Sequence, residues 1–68
     1  MKFLIELERE DDGRWIADIA DLPGVLAYGA SREDAIDHVQ ALALRVLADR
    51  IEHGETGQAL LDVSFKAA

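Results

Sequence analysis

The sequence predicts an α+β fold of order βββαβ, in which three strands precede one long helix and a fourth strand follows it. Apolar and polar residues alternate in short segments before residue 30, which is typical of half-buried strands. From residue 31 to residue 53 the apolar residues recur with a period of about 3.6 residues, which indicates an α-helix. Alternation returns after residue 60. With 68 residues, the chain has room for one domain, predicted to span residues 1–68.

The first two strands are predicted to form a hairpin. Alternation covers residues 3–7 and 14–19, and residues 10–13 (Glu-Asp-Asp-Gly) between them are typical of a turn. Gly13 can adopt the left-handed position of a three-residue loop, and this loop places Glu6 directly opposite Asp18. The residues expected to face inward are Phe3, Ile5, Leu7, Trp15, Ala17 and Ile19.

A second turn is predicted at residues 22–25 (Leu-Pro-Gly-Val). It suits a type II turn, because Pro23 presets its own φ and Gly24 can take a positive φ without steric cost. A third strand follows over about residues 25–29. The three strands then form an antiparallel meander.

The long helix is predicted to begin after Ser31, which can act as the N-cap with Asp34 three residues later. It extends to His53, and the following Gly54 is typical of a helix end. The apolar positions share a stripe about 140° wide around the helix. They are Ala35, Ile36, Val39, Leu42, Ala43, Val46 and Leu47.

The fourth strand is predicted over residues 60–66, with Leu61, Val63 and Phe65 facing inward, after a connector at residues 55–57. Because the helix returns antiparallel to the third strand, the fourth strand runs parallel to the first. A right-handed crossover then places it beside the free edge of the first strand. We therefore expect a four-stranded mixed sheet of order 3-2-1-4, covered on one face by a single helix.

The chain is acidic, with seven basic against fourteen acidic residues and a formal net charge of -7. Such a charge repels phosphate groups and attracts basic proteins, so we expect no nucleic-acid binding by this chain alone. Because there is no cysteine, neither a disulfide nor a thiolate metal site is predicted, and we expect no cofactor. No apolar segment reaches the roughly 18 residues of a membrane span, and no signal peptide is recognised. We expect a cytoplasmic protein.

Three short motifs carry a resemblance to a known family. They are Asp12-Gly13 followed by Trp15 and Ala17, then residues 21–24 (Asp-Leu-Pro-Gly), and then residues 29–35 (Gly-Ala-Ser-Arg-Glu-Asp-Ala). In this order and spacing, over roughly the first 50 residues, the sequence resembles the HicB-like antitoxin family. The resemblance implies a partial RNase H-like fold.

The resemblance also implies a function. The family core binds and neutralises a small basic HicA-like ribonuclease toxin that targets mRNA. It offers no catalytic motif to carry over, so we expect that the chain is not an enzyme. Many family members add a C-terminal DNA-binding segment, whereas this sequence ends at Ala68, just past the fourth strand. An orphan homo-oligomeric domain of the same family is the alternative.

A divalent-metal nuclease is a further alternative from a different functional class. Glu6 and Asp18 would be cross-strand neighbours, and Asp62 on the fourth strand could share their face of the sheet. Divalent cations favour such oxygen ligands. A solvated acidic surface is the commoner origin of such a group of carboxylates, and we favour it here.

The two histidines each follow a carboxylate by four residues, His38 after Asp34 and His53 after Asp49. We interpret both as pairs on the helix surface rather than as metal ligands or catalytic groups, because this spacing brings neighbouring side chains together on a helix.

Two surfaces are candidates for contacts between subunits, because a chain of this size is marginally stable alone. On the sheet face away from the helix, the candidates are Leu4, Ile16, Leu26 and Tyr28. On the flank of the helix, they are Leu44 and Ile51. We expect a homodimer or a tetramer built through one of these surfaces.

Overall fold

The computed structural model describes residues 1–55 and 60–68. Within them the chain forms β1 (Lys2–Arg9), β2 (Trp15–Asp18), β3 (Leu26–Gly29), α1 (Arg32–Glu52) and β4 (Ser64–Ala67). The strands make one sheet of order β3-β2-β1-β4, in which β4 runs parallel to β1 and the other neighbours are antiparallel. The predicted α+β class, element order and sheet order are confirmed.

The hairpin between β1 and β2 closes at the predicted loop. The N–H of Glu10 donates to the carbonyl oxygen of Arg14 at 2.7 Å, and Gly13 has a φ of 90°. Glycine adopts this left-handed conformation readily because it has no Cβ to crowd the backbone. The resulting register places Glu6 opposite Asp18, as predicted.

The connection from β2 through β3 to the helix depends on two glycines for different reasons. The N–H of Val25 donates to the carbonyl oxygen of Leu22 at 2.9 Å, and Gly24 has the positive φ, 85°, that a type II turn requires. At the end of β3, a Cβ on Gly29 would collide with the backbone of Ala35. Gly29 therefore allows the first turn of α1 to lie directly against β3.

The helix α1 begins and ends at the predicted caps. The Ser31 Oγ accepts a hydrogen bond from the N–H of Asp34 at 3.1 Å. His53 is the C-cap residue, and Gly54 follows it with a φ of 76°. Within the described part of the chain, no helix combines the length and the hydropathy that crossing a membrane requires.

The hydrophobic core lies between α1 and one face of the sheet. Its buried members are Phe3, Ile5, Ala17, Ile19, Leu22, Val25, Ala35, Val39, Ala43 and Leu47. Leu7 and Trp15, both predicted to face inward, are half-buried against this core. The helix packs mainly on β3 and β2 and touches β1 much less. Burying a large apolar side chain stabilises the fold by about 1.5–3 kcal/mol, so this layer holds the helix on the sheet.

The fourth strand is shorter than predicted, and the prediction for Leu61 is wrong. β4 begins at Ser64 rather than at residue 60, and Leu61 is 81% exposed. The N–H of Ser64 donates to the carbonyl oxygen of Met1 at 2.9 Å, and β1 begins at Lys2. An extension of β4 toward residue 60 would therefore lie beyond the end of its partner strand. Of the predicted connector at residues 55–57, residues 56 and 57 lie outside the described residues.

Candidate protein-binding surfaces

The sheet face opposite α1, which we call the outer face, is both apolar and acidic. Alternation along each strand directs every second side chain to this face. Its large apolar residues are Leu4, Ile16, Leu26 and Tyr28, and its charged residues are Lys2, Glu6, Glu8, Asp18 and Lys66. The four sheet residues predicted as contact candidates therefore share one face.

The strand register arranges much of the outer face into two rows across β3, β2 and β1. One row consists of Tyr28, Ile16 and Glu8, and the other of Leu26, Asp18 and Glu6. Within these two rows the apolar side chains lie toward β3 and the carboxylates toward β1. Leu26 is 44% exposed and Tyr28 is 42% exposed, so much of their surface remains in contact with solvent.

The acidic part of the outer face forms a shallow depression. Its lining includes Glu6, Glu8, Ile16 and Asp18. Glu6 lies directly opposite Asp18, and like charges in this arrangement repel each other. Within residues 1–55 and 60–68, ion pairs involve Asp12 and Asp49 but none of the three carboxylates of the depression. A cation from outside the chain would therefore relieve repulsion here.

Arg14 borders the outer face beside Tyr28, and its guanidinium already has partners within the chain. The Arg14 guanidinium lies 4.7 Å from the centre of the Tyr28 ring, and its Nε donates to Asp12 Oδ2 at 2.7 Å. The backbone N–H of Arg14 donates to Asp12 Oδ1 at 3.0 Å. The backbone hydrogen bond has the largest effect in lowering the pKa of Asp12, and the side-chain hydrogen bond from Arg14 lowers it further. Arg14 therefore links the hairpin loop to Tyr28.

The three carboxylates considered as an alternative metal site are only partly brought together. Glu6 and Asp18 are cross-strand neighbours, but Asp62 precedes β4 and joins no group with them. In the part of the chain that the structure describes, no three acidic, histidine or cysteine side chains are grouped so that they could hold a metal ion.

The interpretation of His38 requires a correction, whereas that of His53 agrees with the geometry. His38 Nδ1 lies 2.7 Å from the carbonyl oxygen of Tyr28 on β3, so it donates there instead of pairing with Asp34. Helical spacing could not reveal this contact, because it joins the helix to a strand. His53 Nδ1 lies 2.7 Å from the carbonyl oxygen and 3.5 Å from Oδ1 of Asp49, its predicted neighbour.

The helix residues predicted for subunit contact are also exposed. Leu44 is 52% exposed and Ile51 is 47% exposed, whereas the buried residues of α1 are 5% exposed or less. At about 100° per residue, Leu44 and Ile51 lie on the side of α1 away from His38. Because His38 contacts β3, this side of the helix lies toward the β1–β4 half of the sheet.

Comparison with protein-family models, curated proteins and solved structures found no match to this chain. The resemblance to HicB-like antitoxins therefore rests on the motif residues themselves, from Asp12-Gly13 to residues 29–35. The geometry of the two surfaces is the further basis for a functional proposal.

Proposed function

We propose that this chain is a HicB-like antitoxin core with a partial RNase H-like fold. Its outer face binds a small basic HicA-like ribonuclease and neutralises it through protein–protein contacts. The observation that carries the proposal is the outer face itself, which combines exposed apolar side chains on β3 with a group of carboxylates on β2 and β1.

The apolar part of the outer face supplies affinity. Leu26 and Tyr28 lie on an edge strand beside Ile16 of β2, so a partner can cover all three together. Burying apolar surface stabilises a complex by about 25 cal/mol per Å² before the costs of association are counted. Tyrosine is among the residues that dominate binding energy at interfaces.

The acidic part supplies charge complementarity. Glu6, Glu8 and Asp18 line one depression in a chain of net charge -7. A ribonuclease needs a basic surface to attract RNA phosphates, and these carboxylates would bind to the same cations. The partner would thus be steered to the outer face electrostatically and would lose its access to RNA.

The proposal is tested by co-expression with a small basic protein encoded beside this reading frame. We expect the chain to restore growth and to bind the purified partner. The Glu6→Lys/Asp18→Lys double variant should weaken binding by at least about tenfold, or about 1.4 kcal/mol. The Asp11→Lys/Glu52→Lys variant makes the same change in net charge away from the outer face and is the matched control.

Two results would contradict the proposal. Equal loss of binding in both double variants would show that only net charge matters. Absence of any basic partner that this chain binds would favour the orphan homo-oligomeric domain, for which the outer face needs no cationic ligand.

A further inference from the structure

We infer that the edge of β4 that faces away from β1 pairs with the same edge of a second copy of this chain. The result is a two-fold dimer in which the two four-stranded sheets join into one. This contact differs from both surfaces expected from the sequence, the outer face and the exposed side of α1. The inference does not depend on the proposed function, because edge pairing leaves the outer faces of both copies open.

The backbone of β4 presents hydrogen-bonding groups along the edge of the sheet. The N–H of Ser64 donates to the carbonyl oxygen of Met1 at 2.9 Å, so the backbone groups of Ser64 point toward β1. Because backbone direction alternates along a strand, those of Phe65 and Ala67 point away from β1. Among the described residues, no hydrogen bond occupies these outward groups. Such a row of groups fits one further strand.

The opposite edge of the sheet, at β3, is partly occupied by the chain itself. His38 Nδ1 donates to the carbonyl oxygen of Tyr28, one of the groups that point to that edge. The helix α1 also packs mainly on β3 and β2 and touches β1 much less. In the described part of the chain, β4 is therefore the less protected edge, and pairing with a second copy would cover it.

Charge selects the register of this pairing. Either of two antiparallel registers gives the longest overlap between the two copies of β4. If Phe65 lay opposite Ala67 of the second copy, the two Lys66 residues would be directly opposite each other, and like charges there repel. If Phe65 lies opposite Phe65, each Lys66 faces Ser64 of the second copy instead. Lys66 is then one diagonal position from Asp62, which precedes β4, and within reach of this opposite charge.

The register centred on Phe65 also covers an aromatic side chain that its own chain covers only in part. Phe65 is half-buried, and the centre of its ring lies 5.8 Å from that of Phe3 on β1. Residues directly opposite each other on antiparallel strands share a face of the sheet, so the two Phe65 rings would meet. The aromatic row of one copy would continue into that of the second, and such cross-strand pairs stabilise strand pairing.

The acidic groups that oppose self-association lie far from this two-fold axis. The register of β1 with β4 puts the two copies of Glu6 about 25 Å apart, across the strands and along them. Glu33 and Asp37 belong to α1, and the two helices lie more than about 20 Å apart, because each packs mainly on β3 and β2. Lys2 is about 10 Å from Lys66 of the second copy. Exposed charges at these distances are largely screened at physiological salt.

Disulfide formation tests the register, because the chain has no native cysteine. The positions of Ser64 and Lys66 face each other across the dimer with Cα atoms about 4.5 Å apart, a distance that a disulfide can span. Mild oxidation of a mixture of Ser64→Cys and Lys66→Cys should therefore give the covalent heterodimer. Either variant alone should form little disulfide, since its own copies are more than about 7 Å apart. A disulfide in Lys66→Cys alone, or no heterodimer, would overturn the inference.

Sedimentation equilibrium provides the second measurement, and the unmodified chain should dimerise at high micromolar concentration. Ala67→Pro removes an outward N–H and leaves the hydrogen bonds to β1 in place, so it should raise the dissociation constant by at least about tenfold. Ala67→Ser is the matched control and should not change it, and circular dichroism should show both variants folded. A monomeric unmodified chain, a dimer unaffected by Ala67→Pro, or preferential disulfide formation in Tyr28→Cys would overturn the inference.

Discussion

His38 Nδ1 lies 2.7 Å from the carbonyl oxygen of Tyr28, so a helix side chain satisfies a backbone acceptor on the edge strand β3. The N–H of Ile19 donates to the carbonyl oxygen of Val25, so the backbone groups of Val25 point toward β2. Because backbone direction alternates along an antiparallel strand, the N–H and carbonyl groups of Tyr28, three residues later, point toward the free edge. Exposed strand edges invite unwanted pairing, and a side chain that occupies an edge carbonyl reduces that exposure.

We predict that His38→Ala lowers the free energy of unfolding by about 1 kcal/mol, because the Tyr28 carbonyl loses its hydrogen bond. Urea denaturation followed by circular dichroism measures the change. His53→Ala is the control and should cost less, since the carbonyl of Asp49 also accepts the backbone N–H of His53. Equal costs for the two variants would contradict a specific role for His38 between helix and strand.

Gly29→Ala should destabilise the fold by about 2–3 kcal/mol, because the added Cβ would collide with the backbone of Ala35. Backbone, unlike a flexible side chain, cannot rotate out of the way. Gly54→Ala is the comparison, because a Cβ on Gly54 would meet open space. The only cost there is that of holding alanine at a positive φ, which is about 1 kcal/mol. Thermal and urea unfolding of both variants test the order. A smaller cost at Gly29 than at Gly54 would show that β3 and α1 separate easily.

We expect no RNA cleavage by this chain in Mg²⁺ or Mn²⁺. Glu6 and Asp18 repel phosphate, and within residues 1–55 and 60–68 no third ligand completes a metal site with them. The measurement is incubation of labelled RNA with the purified chain and each cation. Cleavage that disappears in Glu6→Gln or Asp18→Asn would restore the nuclease hypothesis.

Local signals in the sequence predicted most of the fold. The Ser31 cap, Gly13 and residues 22–25 each specify a turn or a helix start through their own backbone chemistry, and each is found where predicted. Alternation also predicted the side of the sheet on which Leu4 and Ile16 lie. These features depend on neighbours in sequence, which is why pattern alone could identify them.

Contacts between distant segments could not be predicted in the same way. Leu61 continues the alternating pattern but precedes β4, whose pairing with β1 begins at Ser64. Its exposure is therefore decided by where the strands pair and not by the pattern. His38 has a carboxylate at helical spacing yet donates to a strand carbonyl. Neither outcome has a local signal, because each depends on how the strands and the helix are positioned in space.

Nuclear magnetic resonance of this 68-residue chain can locate the surface that binds a basic partner. Titration with the basic protein should shift the backbone amide signals of Ile16, Asp18 and Tyr28 and leave that of Leu44 largely unchanged. Higher salt should weaken the binding, since exposed charges contribute to it. Shifts centred on Leu44 and Ile51, with the outer-face signals unmoved, would show that the partner binds the helix and not the outer face.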